Sequence, residues 1–241
     1  MAVKKPKFNP LTSWSYSTYT QYIKCPFSVC LDKIQRVRIV EPPNANLERG
    51  NAVHAGADMA VSDSKFKIKD LMPELVRVKP VIEKLRKAKA KVEQLWAFTR
   101  EWEPCNWKDW DRAWLRVKTD VCMDTVTPPH VDIIDWKTGR VHEEHKRQRT
   151  LYALAGLQLV KLGQLAGGSK NTKLEAQHIY VDTGQTATEV FLFKNLESLR
   201  KQWEARTEIM FKDTTFNATP GPHCRWCKFA KSKGGPCPEN Q

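Results

Sequence analysis

Apolar and polar positions change period several times along the chain, and each change marks an element. Tyr16, Tyr19, Tyr22 and Ile23 recur at helical spacing behind the candidate N-caps Ser15 and Ser17. This predicts a helix running to Cys25-Pro26, where the proline interrupts or kinks it. After the break at Pro42-Pro43-Asn44, Leu47 to about Met59 reads as a second helix with His54 near its middle. Val81–Phe98 carries Val81, Leu85, Val92, Leu95 and Trp96 at intervals that predict one longer helix. Its other faces bear Lys84, Arg86, Lys87, Lys89 and Lys91, read either as a solvated face or as a surface for phosphates.

From Trp102 the pattern alternates. Ala113–Met123 and Val131–Trp136 predict two strands, with Thr127-Pro128-Pro129 as the loop of a hairpin between them. Glu143–Leu165 returns to helical periodicity and ends at Gly167-Gly168-Ser169. Ala176–Val181 and Thr186–Phe193 predict two more strands around Thr183-Gly184, and Leu196–Phe211 a last helix before a Pro- and Cys-rich tail. Helices flank a central group of strands, the pattern of a mixed α/β domain. Residues 1–12 form a basic arm expected to be mobile, and 13–241 are expected to form one domain.

Composition narrows the class. With 241 residues, 41% hydrophobic and 28% charged, the chain is neither disordered nor membrane-embedded and can bury a large core. Leu151–Leu165, its most apolar window, is broken by Gln158 and Lys161 and is too short to span a bilayer. The basic N-terminus has no apolar segment behind it, so no signal peptide is expected and a reducing cytoplasm is. There, seven cysteines are more readily metal ligands or buried thiols than disulfides. The formal charge of +13 favours a polyanionic partner such as nucleic acid.

The sharpest local feature is Ile133-Ile134-Asp135-Trp136-Lys137-Thr138-Gly139. On a strand, Asp135 and Lys137 project from the same face of an otherwise hydrophobic segment. Such a pair is either a salt bridge at a strand end or part of a site shared with a metal or a phosphate. If the hairpin forms, Asp120 meets Asp135 at an oxygen-rich position suited to Mg²⁺ or Mn²⁺. Asp124 ranks second as a carboxylate there, and Asp132 is expected to face the opposite way and be solvated. Near the C-terminus, Cys224-Arg225-Trp226-Cys227 is a C-x-x-C followed by Cys237, and Cys25 could supply a fourth thiolate, with Cys30 as the spare. Four thiolates suit Zn²⁺ or a [4Fe–4S] cluster equally. Cys105 and Cys122 are expected to be buried thiols.

In order, these motifs resemble the PD-(D/E)XK nucleases, in the branch containing RecB and AddB nuclease domains and the CRISPR-associated iron–sulfur exonucleases. Ser15 to Cys25-Pro26 matches the capped helix and Cys-Pro of that branch, and Gly50-Asn51-Ala52-Val53-His54 its Gly-x-x-x-His. Asp120 matches the first strand acid, Asp135 to Gly139 the Asp-x-Lys-Thr-Gly, and Gln148 with Tyr152 the Gln-x-x-x-Tyr helix. The cysteine cluster closes the match. Thr119 stands where the name-giving proline would be, and the gap from Cys227 to Cys237 is wide for the pattern.

The resemblance implies a restriction-endonuclease-like mixed sheet flanked by helices, with a Cys-ligated cluster joining the N- and C-terminal regions. It implies a divalent metal held by His54, Asp120, Asp135 and the Trp136 carbonyl, with Lys137 at the attacking water and Gln148 and Tyr152 at the scissile phosphate or beside Lys137. It favours [4Fe–4S] over zinc at Cys25, Cys224, Cys227 and Cys237. The implied activity is a Mg²⁺- or Mn²⁺-dependent deoxyribonuclease, an exonuclease on single-stranded DNA or DNA ends. Its setting would be recombination, repair, or phage- or CRISPR-type DNA processing, with a helicase or recombinase as a further partner. The alternative is a non-catalytic nucleic-acid-binding module on the same scaffold. Lys137-Thr138-Gly139 and Ser62-Asp63-Ser64-Lys65 also mimic motifs of penicillin-recognising enzymes, but Ser-Asp-Asn is absent and that reading is rejected.

Overall fold

The computed structural model describes residues 11–238, so most of the expected basic arm lies outside the described residues. The chain divides into two compact units, one of residues 44–201 and one of residues up to 43 together with those from 202.

In the larger unit, β1 (Lys91–Phe98), β2 (Pro104–Cys105), β3 (Leu115–Val126), β4 (Pro129–Lys137), β5 (Lys173–Tyr180) and β6 (Gln185–Leu192) form one sheet in the order β2-β1-β3-β4-β5-β6. Only β4 and β5 pair in parallel; the other neighbours are antiparallel. That parallel step needs a crossover, and α5 (Glu143–Lys161) supplies it. Gly156 lets α5 approach: a Cβ there would lie 2.6 Å from Leu174 and 2.8 Å from Ile133. α3 (Ala45–Ser62) and α4 (Lys79–Lys87) contribute Val53, Ala57, Ile82 and Leu85 to a second core layer with Val121, Ile134, Trp136 and Ile179. This is the mixed α/β arrangement that the alternation implied, and its mixed six-strand sheet flanked by helices is consistent with the restriction-endonuclease-like fold that the resemblance implied.

The expected helix over Val81–Phe98 is not one element. α4 buries Ile82 and Leu85 and stops at Lys87; Lys89 then takes a left-handed φ of 56°, and β1 follows. Val92, Gln94 and Trp96 are half-buried while Glu93 and Leu95 face out, a period of two that the helical spacing of Val92, Leu95 and Trp96 concealed. Pairing with β3 decides the matter, because it satisfies the backbone along Lys91–Phe98. The other predicted elements are present with boundaries shifted by a few residues.

In the smaller unit, α1 (Tyr16–Lys24) is capped by Ser15, whose side chain accepts from the Thr18 amide. Pro26 starts α2 (Pro26–Val29), where its missing N–H costs nothing. α6 (Leu196–Lys212) brings Trp203 into this unit, stacked on Trp14 at 5.6 Å and met edge-on by Tyr19.

Candidate active site

The β3–β4 ladder ends at Val121–Ile134, and the next position is occupied by a side chain. Asp120 Oδ2 accepts the Trp136 amide at 2.7 Å, so an acid of β3 is tied to the peptide between Asp135 and Lys137. In a strand the N–H and C=O of one residue project to the same side, so the Trp136 carbonyl also faces Asp120. His54 of α3 closes this side, its Nδ1 lying 3.1 Å from the same Asp120 oxygen.

Asp135 is 5% exposed. Its Oδ2 lies 2.5 Å from Lys137 Nζ, and its Oδ1 accepts from the Tyr152 hydroxyl at 2.5 Å. Gln148, one turn earlier on α5, donates to the Tyr152 oxygen at 2.7 Å and reaches Asp135 Oδ1 at 3.5 Å. Behind this group stands His178, fully buried, with Nε2 4.0 Å from Asp135 Oδ2. Arg149 can only donate, and it lies 3.1 Å from His178 Nδ1; the imidazole proton therefore sits on Nε2, toward Asp135. Burial pushes the pKa of His178 down to about 3, which keeps the ring neutral. The turn after Lys137 is pinned by Asp182, which accepts the Gly139 amide at 2.7 Å and pairs with Arg49 of α3.

The two acids are tuned apart. Burial alone would raise both. At Asp135 the Lys137 ammonium outweighs burial and holds the carboxyl below its ordinary value. At Asp120 burial wins, reinforced by the charge of Asp135 and opposed by His54, so its pKa is raised. His54 is lowered by burial but raised more by Asp120, and its net shift is upward. A divalent ion relieves the repulsion between these carboxylates, and carboxylates, an imidazole and a peptide carbonyl are a donor set for Mg²⁺ or Mn²⁺. Asp135 Oδ2 is buried with the Lys137 ammonium as its close partner, so an ion bound there would share this oxygen with Lys137. By residue type this is a donor set that fits the metal, although the ligand atoms of His54, Asp120 and Asp135 do not all lie within 4.8 Å of one another.

A second carboxyl pair, in a pocket that His54 also lines, was not expected from the sequence. Asp58, one turn beyond His54 on α3, hydrogen-bonds Glu93, which is ion-paired with Lys118. Burial and Glu93 push the pKa of Asp58 up to about 7. Glu93 has a left-handed φ of 51°, a costly conformation for a non-glycine residue. The spacing from His54 could have flagged Asp58; Glu93 was hidden by the helical reading of β1. Of the competing acids, Asp124 accepts the Ala166 amide at 2.9 Å and lies 3.5 Å from Lys91. Asp132 faces away from Asp135 as expected, but at 4% exposure it is buried rather than solvated, and Gln177 of β5 donates to its Oδ1 at 2.9 Å.

In the smaller unit, Cys25, Cys224, Cys227 and Cys237 line one pocket with Phe27, Leu31 and Phe229. Backbone amides of Thr219 and Gly221 donate to the sulfurs of Cys25 and Cys224. Burial, with Cys25 and Cys224 nearby, raises the pKa of Cys227, which favours its protonated thiol until a metal takes the sulfur. Among the described residues, no three of these sulfurs lie within 4.8 Å of one another. Four ligands at about 2.3 Å from one zinc ion would stand roughly 3.8 Å apart. Cys30 and Cys122 are buried, Cys122 with its pKa pushed up to about 12 by burial, and Cys105 is half-buried.

The sequence profile of the PD-(D/E)XK nuclease superfamily matches residues 13–232. No curated protein matches the chain. Among solved structures, one titled "Crystal structure of SSO0001" is 14% identical with a TM-score of 0.40, covering 100% of this chain and 90% of that one.

Proposed function

The chain belongs to the PD-(D/E)XK nuclease superfamily, whose members are generally metal-dependent nucleases, and on that premise we propose that it is a Mg²⁺- or Mn²⁺-dependent deoxyribonuclease acting on single strands or DNA ends. The observation that carries this reading is the bond from the Trp136 amide to Asp120, which ties the first acid to the peptide between Asp135 and its partner Lys137. A divalent ion bound by His54, Asp120, Asp135 and the Trp136 carbonyl would lower the pKa of a water and polarise a phosphoryl oxygen. Lys137 keeps Asp135 ionised and offers its ammonium to the attacking water or to charge developing on phosphorus. Tyr152 and Gln148 fix the orientation of Asp135, and the neutral His178 ring lies behind it, Nε2 4.0 Å from Oδ2.

The excess of 13 positive charges supports a polyanionic substrate. Two exposed tryptophans, Trp110 and Trp226, each lie against an arginine, Arg116 and Arg225, and aromatic–arginine pairs suit stacking on unpaired bases. For the cysteine pocket we propose a [4Fe–4S] cluster rather than zinc. The amides aimed at the sulfurs of Cys25 and Cys224 support a metal-bound thiolate site, and the family resemblance favours iron–sulfur over zinc.

The test is a time course on DNA labelled separately at each end, single- and double-stranded, in Mg²⁺ and in Mn²⁺. Progressive shortening from an end, abolished by Asp135→Ala and Lys137→Ala, is the expected result. Internal cuts overturn the exonuclease assignment, and DNA binding without cleavage makes the protein a binding module.

A further inference from the structure

We propose that the face of the sheet opposite Asp135 and Lys137 carries a second metal site, for a divalent transition ion of the Zn²⁺ or Mn²⁺ class, formed by His130, Asp132, Glu175 and Gln177. His130 and Asp132 alternate with Asp135 along β4 and so project from the other face. The parallel register sets His130 beside Lys173, Asp132 beside Glu175 and Ile134 beside Gln177, so four polar side chains share one patch of two adjacent strands.

Three observations point to an ion there. The ligand atoms of His130, Asp132 and Glu175 lie within 4.8 Å of one another, and His130 Nε2 is 3.3 Å from Asp132 Oδ1. Ligands about 2.0–2.2 Å from one ion stand roughly 3–3.5 Å apart; the His–Asp pair is already at that separation. Secondly, Asp132 is 96% buried while its Oδ1 takes a hydrogen bond from a neutral amide, Gln177 Nε2 at 2.9 Å. A carboxylate this deep is paired or holds a metal; the groups facing the cluster are His130 beside Asp132, and Lys173 and Lys84 acting on Glu175. Thirdly, Gln177 Nε2 also lies 3.4 Å from Glu175 Oε2, so a donor fills the space between the two carboxylates. Turning that amide over presents its oxygen to the same space as a fourth ligand. The competing arrangement is the pairing of Glu175 Oε1 with Lys173 at 2.6 Å, which an ion must displace or leave on the outer oxygen.

An imidazole, two carboxylates and an amide oxygen suit Zn²⁺, Mn²⁺ or Co²⁺ better than Ca²⁺, which takes six to eight oxygens, or a soft ion, which takes thiolates. Bound there, the ion would clamp β4 to β5 about 10 Å before the catalytic end of β4.

The full chain, stripped of loosely held metal, is dialysed against Mn²⁺ and against Zn²⁺, and bound metal and the shift of the melting curve are recorded. One ion is expected to remain in Asp120→Asn/Asp135→Asn, with affinity weakened at least about tenfold by adding His130→Gln or Glu175→Gln. These two residues are partly exposed, so their neutral replacements leave the core intact; Asp132→Asn is the third arm. Unchanged affinity and melting shift in His130→Gln and Glu175→Gln overturn the site. Binding lost on Cys224→Ser instead assigns that ion to the cysteine pocket and overturns it equally. None of these readouts uses DNA cleavage, so failure of the nuclease reading leaves the result intact.

Discussion

Asp120 and Trp136 are joined by a 2.7 Å bond from the Trp136 amide to the Asp120 carboxylate, although sixteen residues separate them. That bond occupies a position where the ladder between their strands would otherwise continue. A backbone donor buried at a strand end needs an acceptor, and here a side chain that can also bind metal provides it.

Removing Lys137 should do more than delete a charge near substrate. Lys137→Ala leaves Asp135 buried beside no ammonium, so its pKa rises and the site loses both its cation and an ionised ligand. Cleavage in Mn²⁺ should fall at least about 100-fold in Lys137→Ala and in Asp135→Ala, with unchanged circular dichroism. Near-wild-type rates in either variant contradict the assignment.

Tyr152→Phe keeps the ring and removes only the hydroxyl on Asp135. A hydrogen bond to a charged group contributes about 1.5–3 kcal/mol, so kcat should drop roughly 10- to 150-fold. Gln148→Leu acts on Asp135 chiefly through Tyr152, so the double variant should lose less than the product of the two single losses.

Metal binding should tighten as pH rises. His54 and Asp120 both hold protons more firmly than usual, and each must release its proton to ligate. Calorimetry of Mn²⁺ binding between pH 6 and pH 8, in buffers of different ionisation enthalpy, should show proton release. His54→Asn should reduce that release; release equal to wild type contradicts the ligand role.

Asp58 makes a separate pH prediction for the metal-free protein. Its pKa rises from 3.8 to about 7 on folding, so between those values the folded chain binds the extra proton. Stability from this group therefore falls as pH increases through that window. Asp58→Asn removes the penalty, and its melting temperature should gain on wild type more at pH 8 than at pH 4. An equal offset at both pH values rules this out.

At the cysteine pocket, anaerobically purified protein should be brown, with absorbance near ~400 nm and bound iron. Both should disappear in Cys224→Ser. A colourless, zinc-containing preparation decides for the other metal.

The sequence by itself determined the elements whose periodicity is strong and local: the capped helix before Cys25, the helix around His54, the hairpin about Thr127-Pro128, and α5 with Gln148 and Tyr152 on one face. It also placed Asp120, Asp135 and Lys137, because alternation along two paired strands fixes which side chains share a face. Tertiary structure decided the rest. Lys91–Phe98 became a strand because β3 offered it a ladder, a partner that spacing within the segment cannot reveal. Glu93 reached Asp58 through that same pairing. Asp132, expected in solvent, is buried and bonded by Gln177 of a parallel neighbour that enters the sheet only after the α5 crossover. Local pattern specifies faces; which face is covered, and by what, depends on contacts between segments far apart in the chain.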